Sequence, residues 1–88
     1  MTWIVRLSRD AERQLRRLPP DQQSLIRQRL REMQDDPFRG DVIPLRGRQW
    51  QGRYRKRAGR YRIFFVPHHD IHIVEVSAIL LRDEQTYR

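Results

Sequence analysis

The sequence predicts an α+β fold in the order β-α-α-β-β-β, with a helix hairpin packed on one face of a small, curved, mainly antiparallel sheet. Three observations carry this reading. Apolar residues alternate at the amino end, recur at helical spacing between positions 11 and 33, and alternate again in segments separated by turn residues after position 53. A chain of 88 residues can build only one modest core, so a single domain over residues 1–88 is expected. There are no cysteines, so packing alone must stabilise it.

Trp3, Val5 and Leu7 alternate with Ile4 and Arg6 and read as a first strand. Ser8 can cap a helix with Asp10 and Glu12 in its first turn, where the helix dipole favours negative charge. Ala11, Leu15 and Leu18 form its apolar stripe, and Pro19-Pro20 stop it. A second helix starts at that Pro pair with Asp21 in its first turn, buries Leu25, Ile26, Leu30 and Met33, and ends at Asp36 before Pro37. Val42 and Ile43 begin an edge segment, and Gly47 and Gly52 mark turns. The alternation of Arg53, Arg55 and Arg57 with Tyr54, Lys56 and Ala58 puts three guanidiniums on one face of a strand. Gly59 supplies a hairpin turn, Tyr61 to Val66 the next strand, Pro67 to Asp70 another turn, and Ile71 to Ile79 the longest strand.

Charge is placed rather than spread. The formal surplus of +8 falls inside one acid-free stretch, Val42 to His69, which carries Arg46, Arg48, Arg53, Arg55, Lys56, Arg57, Arg60 and Arg62. A field of one sign attracts polyanions, and Trp50, Tyr54 and Tyr61 are interleaved with these cations as on surfaces that grip single-stranded nucleic acid. RNA or DNA is the expected partner. Lys56 is the only lysine, and a guanidinium fork suits phosphate geometry better than an ammonium; because genomic base composition also yields arginine, the clustering outweighs the bias.

No apolar run approaches the roughly 20 residues that span a bilayer, and no signal peptide is evident, so a cytoplasmic protein without a membrane partner is expected. His68, His69 and His72 crowd a turn and strand start without an acidic cluster, which points to no metal. Two imidazoles can cleave RNA as an acid–base pair, yet a hairpin turn is no shaped pocket. Exposed turn histidines are the simpler reading.

The segment Arg53-Tyr-Arg-Lys-Arg-Ala-Gly-Arg-Tyr-Arg-Ile-Phe-Phe resembles the central YR-x-R-x-G-x-YR hairpin of the RelE/ParE toxin superfamily. Other features agree in order and spacing. Ala11, Arg13, Leu15 and Leu18 match an A-x-R-x-L-x-x-L pattern, Pro37-Phe38 and Leu45-x-Gly47 match two shorter motifs, and Arg82 with Tyr87 resembles the R-x-x-x-x-Y close of the RelE branch. The resemblance covers nearly the whole chain. It implies a toxin of a type II toxin-antitoxin system, with an acidic antitoxin as partner in a hetero-oligomer. RelE-type members are mRNA interferases that cut mRNA in the ribosomal A site by transesterification through the ribose 2′-oxygen, without metal or other cofactor. ParE-type members inhibit DNA gyrase, and a non-catalytic RNA-binding relative is the remaining alternative.

Carried over by position, the resemblance implies a catalytic set of Arg55, Arg62, Arg82 and Tyr87. Arg62 and Arg55 would stabilise the phosphorane, Arg82 the leaving oxygen, and Tyr87 would orient the 2′-hydroxyl or stack on a base. Arg46, Arg48, Arg53, Lys56, Arg57 and Arg60 would bind RNA. Many relatives carry Gly-His before the carboxy-terminal Arg where this chain has Leu80-Leu81. Arginine, with a pKa above about 12, transfers protons poorly, so the general base stays open between Tyr87, whose phenol has an ordinary pKa of about 10, and a group of the ribosome. Structural roles stand beside these: a salt bridge from Arg62 to Glu75, pairing of Arg82 with Asp83 or Glu84, a core-covering Tyr87 ring, and half-buried Tyr54 and Tyr61.

Overall fold

Ser8 begins the first helix as its position predicts, with the side-chain oxygen accepting the Ala11 N–H at 3.0 Å. The computed structural model describes residues 2–82. Their elements are β1 (Ile4–Leu7), α1 (Arg9–Arg16), α2 (Pro20–Met33), β2 (Val42–Pro44), β3 (Tyr54–Ala58), β4 (Tyr61–His68) and β5 (Ile73–Leu81), with one turn of 3-10 helix at Arg48–Trp50. Pro19 and Pro20 both stop α1 and start α2, so the helices form the expected hairpin.

The sheet has five strands in the order β1-β5-β4-β3-β2. β1 runs parallel to β5 and the remaining pairs are antiparallel. Val42 to Pro44 is thus a strand of its own at the sheet edge, one more than the expected four, and its pairing with Tyr54 to Lys56 completes the ladder beyond β3. β4 also continues through Pro67 to His68, where a turn was expected. Proline lacks the donor a central strand needs, but the β3 ladder ends at Phe65, so β4 has a partner on one side only at Pro67. β5 accordingly starts two residues later than expected and runs on through Leu80 and Leu81.

Both helices cover one face. Ala11 and Leu15 from α1 and Ile26, Leu30 and Met33 from α2 pack with Ala58, Tyr61, Ile63, Phe65, Val74, Val76 and Ile79 in one core cluster. Burying a side chain of this size is worth about 1.5–3 kcal/mol, so these rows fix which face of each strand turns inward. Alternation then sends Arg55, Arg57, Arg62 and Phe64 to the other, open face. No helix among the described residues is long and apolar enough to cross a membrane.

A bulge between Phe64 and Phe65 skips Ser77 in the β4–β5 register. The displaced residue is used: its hydroxyl donates to the Phe64 carbonyl at 3.2 Å, and its own carbonyl accepts the Ser8 hydroxyl at 3.0 Å. β5 is thereby tied to the cap of α1. Gln14 reinforces the tie by accepting the Ile79 N–H at 2.7 Å.

Candidate nucleic-acid interface

The open face is organised by the β3–β4 register. Arg57 stands directly opposite Arg62, and Arg55 opposite Phe64. On the far side of β4, Leu80 is opposite Arg62 and Ala78 opposite Phe64. Phe64 and Ala78 are buried although they lie outside the helix-facing cluster, so the centre of this face is an apolar floor edged by guanidiniums. Arg57 lies 3.8 Å from Asp41, both half exposed, and its backbone N–H donates to the Asp41 carbonyl at 2.9 Å. Arg55 Nη1 is buried and has no hydrogen-bond partner among the described residues. A buried polar atom left without an acceptor costs about 1–3 kcal/mol, so an acceptor supplied by a ligand would be stabilised there.

The remaining cations fall at three other places. Arg53, just before β3, holds its guanidinium 5.9 Å from the centre of the Trp50 ring and is exposed. Arg46 is exposed on the loop after β2 and Arg48 at the start of the 3-10 turn. Arg60 is exposed in the β3–β4 turn, and its carbonyl accepts the Arg82 N–H at 2.8 Å, which brings Arg82 to the sheet end where Arg57 and Arg62 stand. Tyr87 lies outside the described residues.

Lys56 does not join this face. It points to the helix side, is 3 % exposed, and its ammonium donates to the Arg39 carbonyl at 2.6 Å. Burial pushes its pKa below the ordinary lysine value, with the Glu32 carboxylate pulling the other way. A cation hidden in this way cannot meet a phosphate, and the alternation that presents Arg55 and Arg57 outward is what turns Lys56 in.

Glu75 does not pair with Arg62. It stands opposite Val66, and its Oε1 lies 2.6 Å from Nε2 of His68, the last residue of β4. This His-Glu pair shares a cavity with Arg53, Val66 and Ser77. It was missed in the sequence because His68 reads as a turn residue until β4 is seen to pass through Pro67, and because the bulge at Phe64/Phe65 resets which residue of β5 faces it. The other two histidines build a separate aromatic cluster. His72 stacks on Trp3 at 4.6 Å and donates from Nδ1 to the Thr2 carbonyl at 2.9 Å, while His69 stacks on Phe38 at 5.7 Å and meets Trp3 edge-on at 5.5 Å. Both are exposed and lie in the β4–β5 turn, as the sequence indicates, and their rings pack on aromatic neighbours there. Among the described residues no group of three or more acidic, histidine or cysteine side chains is arranged to hold a metal ion.

Known proteins share this architecture. The toxin of the *Mycobacterium tuberculosis* RelBE2 toxin-antitoxin complex superposes with a TM-score of 0.82 at 24% identity, over 93% of this chain and 100% of that one. The *Pyrococcus horikoshii* RelE-RelB complex gives 0.71 at 24% identity over 96% and 99%, and a YoeB/ParE toxin from *Agrobacterium tumefaciens* gives 0.75 at 17% identity over 89% and 96%. Among curated proteins none matches the sequence. The family model described as "ParE toxin of type II toxin-antitoxin system, parDE" matches residues 5–86. With that match spanning nearly the whole sequence and RelE-type structures sharing its fold, the chain belongs to the ParE toxin family of type II toxin-antitoxin systems, within the RelE/ParE superfamily.

Proposed function

We propose that this toxin is an endoribonuclease of the mRNA interferase type, acting in the cytoplasm on mRNA held in the ribosomal A site. The observation that carries the reading is the Arg57–Arg62 cross-strand pair, with Arg55 beside it and its Nη1 uncommitted. In the reaction a ribose 2′-oxygen attacks the adjacent phosphorus and the 5′-oxygen leaves with a proton, giving a 2′,3′-cyclic phosphate and a 5′-hydroxyl end. Negative charge grows on the phosphorane oxygens, and fixed guanidiniums aimed at it can supply the largest catalytic contribution. Arg55, Arg57 and Arg62 would take that role, Arg82 would sit at the leaving oxygen, and Tyr87 would act on the 2′-hydroxyl or stack on a base. Arg46, Arg48, Arg53 and Arg60 would hold the RNA backbone.

A net acidic antitoxin is the expected protein partner, since the similar Mycobacterium tuberculosis structure is a toxin-antitoxin complex and a folding acidic segment can neutralise a large cationic face. The second reading is gyrase inhibition, favoured by the name of the matching family model. Mapping RNA 5′ ends after induction separates the two. Defined cuts within translated mRNA are expected, whereas intact mRNA with loss of DNA supercoiling activity would replace the nuclease reading by the ParE one.

A further inference from the structure

We propose that the cavity beside the end of β4 is a subsite for a single RNA base whose hydrogen-bonding edge carries an amino group, guanine above all; this rests on the RNA-cleaving reading above. The cavity encloses about 300 Å³ and is lined by Arg53, Val66, His68, Glu75 and Ser77. That is the lower end of the roughly 300–1,000 Å³ of small-molecule sites, a size that suits one base rather than a dinucleotide. Its polar groups are unequally committed. The Ser77 hydroxyl donates its one proton to the Phe64 carbonyl, and Glu75 Oε1 makes the contact with His68. With Glu75 ionised, Nε2 must carry the proton, so the imidazole fixes the carboxylate in place. What remains for a ligand is the Glu75 carboxylate, with Oε2 and the second lone pair of Oε1 as adjacent acceptors, the acceptor side of the Ser77 oxygen, and the Arg53 guanidinium as donor.

A carboxylate on a cationic face repels phosphate, so Glu75 weakens any grip on the backbone and makes sense as a reader of donors. Guanine presents two adjacent donors, N1–H and the 2-amino group, next to its O6 acceptor, which matches a carboxylate beside a guanidinium. Cytosine offers one amino donor beside an acceptor nitrogen, and uracil a single N3–H between two carbonyls, so neither presents two adjacent donors. His68 and Arg62 are at opposite ends of β4; with a strand rise of about 3.3 Å per residue their backbones are roughly 20 Å apart. The His-Glu pair is therefore too distant to transfer protons at a phosphate held by Arg62. It faces a nucleotide further along the strand.

The test measures kcat/KM on ribosomes programmed with mRNAs that differ at one position near the cut, carrying guanosine, inosine or uridine, for the wild-type protein and Glu75→Gln. Inosine lacks only the 2-amino group. Guanosine should be preferred over uridine by on the order of ten-fold or more, as for a well-placed pair of hydrogen bonds, with inosine between them. Glu75→Gln should collapse that ratio while its melting temperature stays near that of the wild type. Cleavage without base preference at any position, or a preference unchanged in Glu75→Gln, would overturn the subsite and leave the nuclease reading standing. Absence of cleavage for every mRNA would sink both.

Discussion

Arg57 and Arg62 are direct partners across the β3–β4 ladder, two guanidiniums where a sheet built for stability alone would place opposite charges. Asp41 relieves Arg57 in part from 3.8 Å, but half-exposed pairs of this kind contribute little. Removing either arginine should therefore leave the melting temperature unchanged or raise it slightly. Catalysis should respond in the opposite direction: Arg57→Ala and Arg62→Ala are each expected to lower the cleavage rate on the order of 10²- to 10³-fold, the cost of losing a donor aimed at transition-state charge. Thermal melts and single-turnover cleavage on the same preparations check both halves, and a variant that cuts normally removes that residue from the site.

RNA binding should weaken steeply with salt. Each phosphate neutralised on a single strand contributes about −0.7 to the slope of log affinity against log salt, and about three to five such contacts fit the exposed arginines of this face. Fluorescence anisotropy with an uncleavable oligonucleotide at several salt concentrations gives the slope directly. A flat dependence would show that the arginines are not the grip.

The order of elements, the helix stripes and the outward row of Arg53, Arg55 and Arg57 were legible in the sequence because each depends on local periodicity alone. Lys56 shows the limit of charge counting. It belongs to the same run of basic residues, yet the alternation that exposes its neighbours buries it beneath the Arg39 carbonyl. The His68–Glu75 pair and the approach of Asp41 to Arg57 depend on register, on a bulge and on a third edge pairing, none of which has a short-range sequence signal. The acid-free stretch is free of acids along the chain but not in space.

Lys56→Met provides the contrast to the arginine variants. Replacing a buried charge by an apolar group of similar length is often neutral or stabilising, and because Arg39 is an exposed residue its freed carbonyl has solvent nearby to turn to. RNA affinity should be retained. The pH dependence has a definite sign: with the folded-state pKa of Lys56 below the unfolded value, the unfolded chain holds more protons between the two, so this residue makes stability rise as pH climbs through that interval toward 10.5. Denaturant titrations over the alkaline range should show a steeper rise for wild type than for Lys56→Met. A steeper rise in the variant would mean that the ammonium is favoured, not opposed, by its site.

His69 and His72 should matter for folding and not for cleavage. Each aromatic contact they make is worth about 0.5–1.5 kcal/mol beyond its buried area, so changing both to Gln should cost roughly 1–3 kcal/mol. His72 also holds a left-handed φ of 53°, which glutamine tolerates poorly. The double variant should cut mRNA at the wild-type rate below its lowered melting temperature. A rate loss without a stability loss would assign these imidazoles to the chemistry.

Gly59 is where the hairpin carrying both rows of arginines is most exposed to a single change. Its φ of 61° favours glycine, and a Cβ built there would lie 2.9 Å from Cδ2 of Leu25 on α2. Gly59→Ala must therefore strain the backbone and push α2 away from the β3–β4 turn at once. The strain of a left-handed non-glycine residue is of order 1–3 kcal/mol, and the leucine has some freedom to move, so a loss of about 1–3 kcal/mol is expected. Because the turn sets the register, the displacement should reach the Arg57–Arg62 pair two positions away and lower cleavage together with stability. Leu25→Ala in the same chain separates the two causes. If the clash dominates, the second substitution restores much of the activity lost through Gly59→Ala; if the backbone conformation dominates, the double variant is weaker than either single one, as measured by denaturant melts and cleavage rates on the same samples.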